Sequence, residues 1–273
     1  MVKTFLYILG ETPACANVFE DFLRYMYTGK IQLDYATVIP LVSLADKYNV
    51  KDLLRLGLDY MARNVSTAAK KHQIVTWYQF ATAAGHRRVA ELTGNFIKWN
   101  FEVVSKTLDY STLDLAQLIQ FLEANDLVIC KYYIFELQYV LHIEYLNPIF
   151  HQVRDKMYNY IADDEMTLFT CVYRWLKEKK KCMTQLGEEN IDLHMDHFIN
   201  NLLPHVRFPM MTPAQLADLL LNPLSQTHTE LLVERIRIAM CYHKNQLELS
   251  QGGQVRLSPI ICTPTTIFTL NEI

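Results

Sequence analysis

Apolar side chains recur along this chain with the spacing of amphipathic helices, and this periodicity constrains the fold more than any other feature. Between Val18 and Tyr27 they fill positions i, i+1, i+4, i+5, i+8 and i+9 of one helix face. Similar stripes predict further helices over about 35–47, 50–62, 70–84, 86–99, 113–122, 164–179, 191–203, 214–221 and 230–242. Glycine and proline number only 8 and 9 among 273 residues, which argues against a turn-rich β-sandwich. The sequence therefore predicts an all-α fold.

Several helix ends carry local signals. Gly29 follows the first stripe, where glycine is common just beyond a helix end. Asp34 is a suitable N-cap for the helix over 35–47, and Pro40 inside that helix predicts a kink or a shorter helix. Pro213 follows Thr212 at the start of a helix, as proline at the first helical position often does. The lysines at 177–181 are expected at a helix end, where cations suit the dipole.

Composition and charge exclude several functional classes. Hydrophobic residues make up 51% and charged residues 20%, which is enough apolar material for a core and argues against disorder. A formal net charge of −3 gives no general attraction to nucleic acid or to an anionic membrane. No stretch reaches the ~18–20 apolar residues of a transmembrane helix, and Phe5–Leu9 is shorter than the ~7–15-residue apolar region of a signal peptide. We therefore expect a soluble, cytoplasmic protein that binds neither nucleic acid nor membrane.

The sequence contains no pattern typical of an active site. It has no GxGxxG, Walker A or GxSxG motif. His194 and His197 share a helix face, but two further metal ligands and the HExxH spacing are missing. Acidic residues at 163–165 and 188–189 precede predicted helices, where negative charge complements the helix dipole. We predict no enzymatic activity, no cofactor and no metal.

The cysteines show no metal or redox spacing. No two of them form a CxxC pair, so we expect buried, reduced thiols. They lie at positions 15, 130, 171, 182, 241 and 262.

Two stretches near the N-terminus carry the motif of a known family. Residues 19–30 read FEDFLRYMYTGK and residues 44–53 read LADKYNVKDL. This order resembles the C-terminal helical half of a BTB/POZ domain, over residues 11–64. Further along, the segments LIQFL, DEMTLF and LLPHVRFPMM resemble the BACK helical array that follows BTB in substrate adaptors. The resemblance implies a BACK-like helical domain over residues 65–243.

The sequence also departs from the complete family architecture at several points. A BTB domain normally begins well before the position of Glu11, so we expect its N-terminal half to be missing, with residues 1–10 unassigned. Residues 130–162 interrupt the BACK pattern and hold six of the 16 tyrosines, which predicts an insertion or an intron translated as coding sequence. Residues 244–273 are expected to be a linker that leads into a truncated β-domain.

The resemblance implies a protein-interaction adaptor that brings substrates to a cullin-3 ubiquitin ligase. The tyrosine of the family's ADKY turn faces the cullin and corresponds here to Tyr48, with Lys47 and Asn49 on the same exposed turn. The expected partners are cullin-3 and an unidentified substrate protein, with a homodimer only if the N-terminal BTB half exists. The alternative is a secreted or lumenal scaffold of the same family. The apolar face of the helices over 18–62 is expected to be exposed and to lower solubility.

Overall fold

A computed structural model describes residues 10–124, 126–128, 165–224 and 228–251, with side chains in the last range to residue 245. Every regular element within these ranges is a helix, which confirms the predicted all-α fold class. The proposed insertion at 130–162, together with Cys130 and Cys262, lies outside the described residues.

The chain divides into two compact units, and each is described by itself. Of the described residues, the first unit comprises 10–118, 124 and 126–128, and the second comprises 119–123, 165–224 and 228–251. The described helices of the first unit are α1 (Pro13–Asn17), α2 (Phe19–Thr28), α3 (Val38–Lys47), α4 (Lys51–Arg63), α5 (Val65–Lys70), α6 (Ile74–Ala83), α7 (Arg87–Trp99) and α8 (Phe101–Val104). A 3-10 turn follows at Leu108–Thr112, and α9 (Leu115–Leu122) carries the chain into the second unit.

The second unit is also built from helices throughout its described part. Its long elements are α10 (Glu165–Leu186), α11 (Ile191–Leu202), α12 (Pro213–Leu220) and α13 (Thr229–Gln251), with 3-10 turns at Leu203–His205 and Phe208–Met210. Thr212 caps α12 as expected, because its side-chain hydroxyl accepts a hydrogen bond from the Gln215 backbone amide and its own backbone amide donates one to Oε1 of Gln215.

Helix α3 begins later than the sequence pattern suggested. The Oδ1 atom of Asp34 accepts hydrogen bonds from the Ala36 and Thr37 backbone amides, each at 2.8 Å, and so closes a turn before the helix starts. The helix then begins at Val38, which places Pro40 in its first turn. A proline there removes no helical hydrogen bond, so α3 is shorter than predicted and needs no kink.

Two predicted helix ends were wrong, because the sequence has no glycine or proline at the positions where we expected the helices to end. Helix α10 continues past residue 179 to Leu186, so Lys177–Lys181 lie inside the helix rather than at its end. It ends at Gly187, which has a φ of 67° and lets the Glu188 amide bond back to the Met183 carbonyl at 3.1 Å. Helix α13 likewise continues to Gln251, nine residues past its predicted end at Tyr242 and into the segment expected as a linker.

The helix predicted over 70–84 begins later, at Ile74, and a separate helix that was not predicted, α5, precedes it. Helix α5 ends at Lys70, and His72 adopts a left-handed φ of 56° before α6 begins at Ile74. The Gln73 amide then bonds to the Ala68 carbonyl at 2.9 Å, which closes the end of α5. The break has no glycine or proline to mark it in the sequence.

The core next to the predicted site is formed by the first four helices. Its buried members are Cys15, Val18, Phe22, Leu41, Leu44, Ala45 and Leu53. Helices α3 and α4 approach closely at Gly57, where a Cβ atom would overlap with the Cγ2 atom of Val42. The turn between these two helices therefore connects two closely packed helices.

A buried ion pair lies in the second unit. The Arg207 Nε atom is 2.5 Å from Glu165 Oε1, and the Arg207 backbone amide donates to Glu165 Oε2 at 3.0 Å. The Glu165 side chain is only 1% exposed, whereas that of Arg207 is 58% exposed. The pair joins the first residue of α10 to the segment LLPHVRFPMM that follows α11.

Candidate partner-binding site

The three predicted site residues lie together on the turn that ends α3. Lys47 is the last helical residue, Tyr48 follows it, and Asn49 adopts a left-handed φ of 56°. The Val50 amide bonds to the Ala45 carbonyl at 2.7 Å and the Asn49 amide to the Asp46 carbonyl at 3.1 Å. This is a Schellman motif, and asparagine is one of the few side chains that tolerate its left-handed position. All three residues are exposed, so the turn presents them on one surface.

The aromatic ring of Tyr48 packs against two phenylalanines of α2. Its centroid lies 6.2 Å from that of Phe19 and 5.6 Å from that of Phe22. Phe22 is buried in the core cluster, while Tyr48 remains 37% exposed. One side of the ring therefore rests on the core and the remainder is open to a partner.

The structure adds a residue that sequence analysis missed, the carboxylate of Glu11. Its Oε1 atom accepts a hydrogen bond from the Tyr48 hydroxyl at 2.5 Å and another from Lys47 Nζ at 2.7 Å. Lys47 Nζ also donates to the Gly10 carbonyl at 3.2 Å. The Glu11 side chain is only 8% exposed. Glu11, Lys47 and Tyr48 thus form one hydrogen-bonded cluster, referred to below as the Glu11 cluster.

The segment that carries Glu11 is anchored by helix α1. The Thr12 side chain accepts from the Cys15 backbone amide at 3.3 Å, and Pro13 occupies the start of the helix. The Cys15 thiol is buried 3.8 Å from the Pro40 carbonyl of α3. These contacts hold α1 against α3 and place Glu11 beside the turn.

The hydrogen bonds of the cluster shift the ionisation of its members. Those from Lys47 and Tyr48 stabilise the Glu11 carboxylate and lower its pKa below the ordinary value of 4.5. The hydrogen bond to Glu11 raises the pKa of Lys47 and also raises the pKa of Tyr48. Near neutral pH the cluster therefore contains a carboxylate, an ammonium and an un-ionised phenol.

The depressed pKa of Glu11 predicts an acid-sensitive contribution to stability. A carboxylate whose pKa falls on folding stabilises the protein above its unfolded-state value, and this is lost as pH falls through the folded value. We expect Glu11→Gln to lower the denaturation midpoint slightly near neutral pH, because Lys47 is half exposed. The difference from wild type should shrink as pH falls below 4.5. Urea titrations of both proteins across this range measure it, and a difference that grows in acid would contradict the assignment.

Part of the predicted apolar surface is exposed on α2. Val18 and Phe22 are buried, but Leu23, Met26 and Tyr27 of the same stripe are exposed, and Tyr27 is 89% exposed. The stripe is thus divided between a core-facing half near the turn and an outward-facing half near the end of α2.

The remaining candidates for chemistry are dispersed along the chain. His194 and His197 are both exposed on α11. Among the described residues, no group of three or more histidine, cysteine or acidic side chains is placed to hold a metal ion. Cys15 and Cys171 are buried as expected, whereas Cys182 and Cys241 are exposed, and all four are free thiols. Within the described part of the chain, no helix has both the length and the hydropathy needed to cross a membrane.

Comparison with known families finds two matches, both to protein-interaction modules. Residues 11–64 match the BTB/POZ domain, and residues 74–139 match BACK, described as "BTB And C-terminal Kelch". The BACK match reaches into the segment 130–162. A BTB match is thus followed along the chain by a BACK match, which confirms the resemblance inferred from the motifs.

Particular relatives are similar over longer stretches. BTB/POZ domain-containing protein 17 of Xenopus laevis is 27% identical over 208 residues, which are 76% of this chain and 34% of the relative. The human protein of that name is 34% identical over 122 residues, covering 45% of this chain and 25% of the relative. Galectin-3-binding protein of Mus musculus is 25% identical over 247 residues, which are 89% of this chain and 34% of the relative. The chain spans about a third of the length of the first of these relatives.

Proposed function

We propose that this protein is an adaptor that binds cullin-3 through the turn at Lys47–Asn49 and brings a substrate protein to the ubiquitin ligase. BTB and BACK segments are protein-interaction modules, and this coarser role follows from the family matches. The observation that carries the finer proposal is the fixed, half-exposed ring of Tyr48 on an exposed turn.

The geometry of the turn suits a binding anchor. Tyrosine is among the residues that most often dominate binding energy, since it buries a large area at low entropic cost. Here the Phe22 ring and the Glu11 carboxylate already restrict the Tyr48 side chain. A partner would therefore lose little rotamer entropy by ordering it, and that favours affinity.

The test compares two tyrosines of the same unit. We expect Tyr48→Ala to weaken binding to purified cullin-3 by about 2 kcal/mol, roughly thirtyfold, as measured by isothermal titration calorimetry. Tyr27→Ala is the matched control, because Tyr27 is exposed on α2 and contributes no part of the Glu11 cluster. Tyr48→Phe, which keeps the ring and loses the hydroxyl, should weaken binding less than Tyr48→Ala.

Two results would overturn the proposal. One is wild-type protein that shows no heat of binding to cullin-3. The other is Tyr48→Ala that binds with unchanged affinity, or with a loss that Tyr27→Ala reproduces. Circular dichroism melting of each variant separates a lost contact from a lost fold.

Thiol chemistry provides an independent check of the compartment that the adaptor role requires. Cullin-based ligases act in the reducing interior of the cell, where cysteines stay reduced. The protein is purified and then denatured in the absence of a reductant. We expect all six of its cysteines to react with a thiol reagent under these conditions. A deficit of two or more thiols would indicate disulfides and would favour the secreted scaffold instead.

A further inference from the structure

A second surface of the first unit is a groove between α4 and the start of α7. Its volume is about 390 Å³, and it is open to solvent. Leu54, Leu58 and Val89 supply an aliphatic floor. A groove of this size accommodates one or two apolar side chains rather than a folded domain.

Basic side chains surround this floor. Lys51 and Arg55 lie one turn apart on α4, and Arg87 and Arg88 occupy the first turn of α7. Asp59 is the one carboxylate among the lining residues of this groove. Such a concentration of cations contrasts with the formal net charge of −3 for the whole chain.

The intramolecular ion pairs of these cations are weak enough for a ligand carboxylate to replace them. Arg88 is 3.2 Å from Asp59, Arg87 is 2.8 Å from Glu91, and all four of these side chains are largely solvent-exposed or half-exposed. Arg55 lies 3.6 Å from Asp52, again with both side chains exposed. Exposed pairs of this kind contribute about 0–1 kcal/mol, so a carboxylate of a ligand can compete for the same guanidinium groups.

The placement of Arg87 and Arg88 also favours an anionic ligand. The first turn of a helix carries a partial positive charge that disfavours cations. The first turn of α7 nevertheless contains no acidic residue, and its N-cap residue His86 makes no side-chain capping bond. An acidic group bound in the groove would relieve this unfavourable arrangement.

We propose that the groove binds an acidic peptide segment of a partner protein, with one apolar side chain on the floor and carboxylates on the surrounding arginines and lysine. A protein segment fits better than nucleic acid, because the floor is aliphatic and the one aromatic ring among the lining residues, His86, already packs against Phe80 with ring centroids 5.6 Å apart. This second surface is independent of cullin-3 binding at Tyr48, so either proposal can fail without the other.

The test uses a defined probe, a fluorescein-labelled peptide of about twelve residues in which aspartates and glutamates flank two leucines. Anisotropy titrations with the whole protein at low salt should show saturable binding that weakens as salt screens the charges. A peptide with lysines in place of the acids should not bind. Replacing the two leucines by serines should weaken binding, because the floor then loses its apolar contact.

Charge-matched variants localise the binding. We expect Arg55→Glu with Arg87→Glu to weaken binding roughly tenfold or more. The control pair Arg24→Glu with Lys106→Glu alters the net charge equally at exposed, ion-paired positions away from the groove, and it should bind like wild type. Tyr48→Ala should also leave peptide binding unchanged.

The proposal is overturned if the acidic peptide does not bind, or if both double variants weaken it equally, since the attraction is then a property of net charge alone. It is also overturned if a thymidine oligonucleotide of similar charge binds as tightly and loses its affinity in the same groove variant.

Discussion

Replacing Arg207 by methionine is expected to destabilise the second unit by about 2–3 kcal/mol. The substitution leaves Glu165, a carboxylate only 1% exposed, without its guanidinium partner. Removing one partner of a buried pair typically costs about 3–5 kcal/mol, because the remaining charge stays desolvated. We expect a loss at or below the bottom of that range here, since the Arg207 side chain is itself 58% exposed and its backbone amide still donates to Glu165. The free energy of unfolding from urea titration measures the effect.

A double-mutant cycle distinguishes a lost ion pair from simple loss of packing. Glu165→Leu combined with Arg207→Met should be markedly less destabilising than the sum of the two single variants, because no buried charge is left. Arg237→Met is the matched control: Arg237 pairs with Glu234 at 2.6 Å, but both side chains are about half exposed or more. That control should change stability by less than about 0.5 kcal/mol. Additive single effects would contradict the pairing of Glu165 and Arg207.

The second large effect is expected for Phe22→Ala in the first unit. Phe22 is buried in one core cluster with Val18, Leu41 and Leu44, and its ring packs against Tyr48. Truncating a buried phenylalanine costs about 3–5 kcal/mol through lost burial and the cavity that remains. We therefore expect a loss of that size in urea titration, together with weaker cullin-3 binding, because the Tyr48 ring loses its support.

Two neighbouring substitutions make this expectation specific. Phe22→Leu retains most of the buried volume and should cost much less than Phe22→Ala. Met26→Ala alters the next turn of the same helix, where the side chain is exposed, and should have little effect. If Phe22→Ala and Met26→Ala proved equally mild, the core cluster would not be the base of the turn.

The helices were predictable where periodicity and local capping agree. The stripe from Val18 to Tyr27 gave α2 and its end at Gly29, and Thr212-Pro213 gave the start of α12. Helix ends were missed where a helix ends without a glycine or proline, as before His72, or where residues of high helix propensity continue the helix. The four lysines and the glutamate at 177–181 have high helix propensity, so α10 runs on to the first glycine.

The site was predictable only in part, for a different physical reason. The motif LADKYNV placed Lys47, Tyr48 and Asn49 on one turn, because the helix end and its left-handed residue are determined locally. Glu11 joins them across 36 and 37 residues of sequence, and Glu165 meets Arg207 across 42. Such contacts depend on how helices pack, and no local spacing in the sequence marks them.

Hydrogen–deuterium exchange of the protein with and without cullin-3 tests the proposed adaptor role most directly. Amides at Tyr48–Val50 and around Glu11 should exchange more slowly in the complex, while those of α2 near Tyr27 should be unchanged. A complex that leaves the turn at Lys47–Asn49 unprotected and protects another surface would contradict the assignment of this turn as the cullin contact. The absence of any protection at saturating cullin-3 would contradict the adaptor role itself.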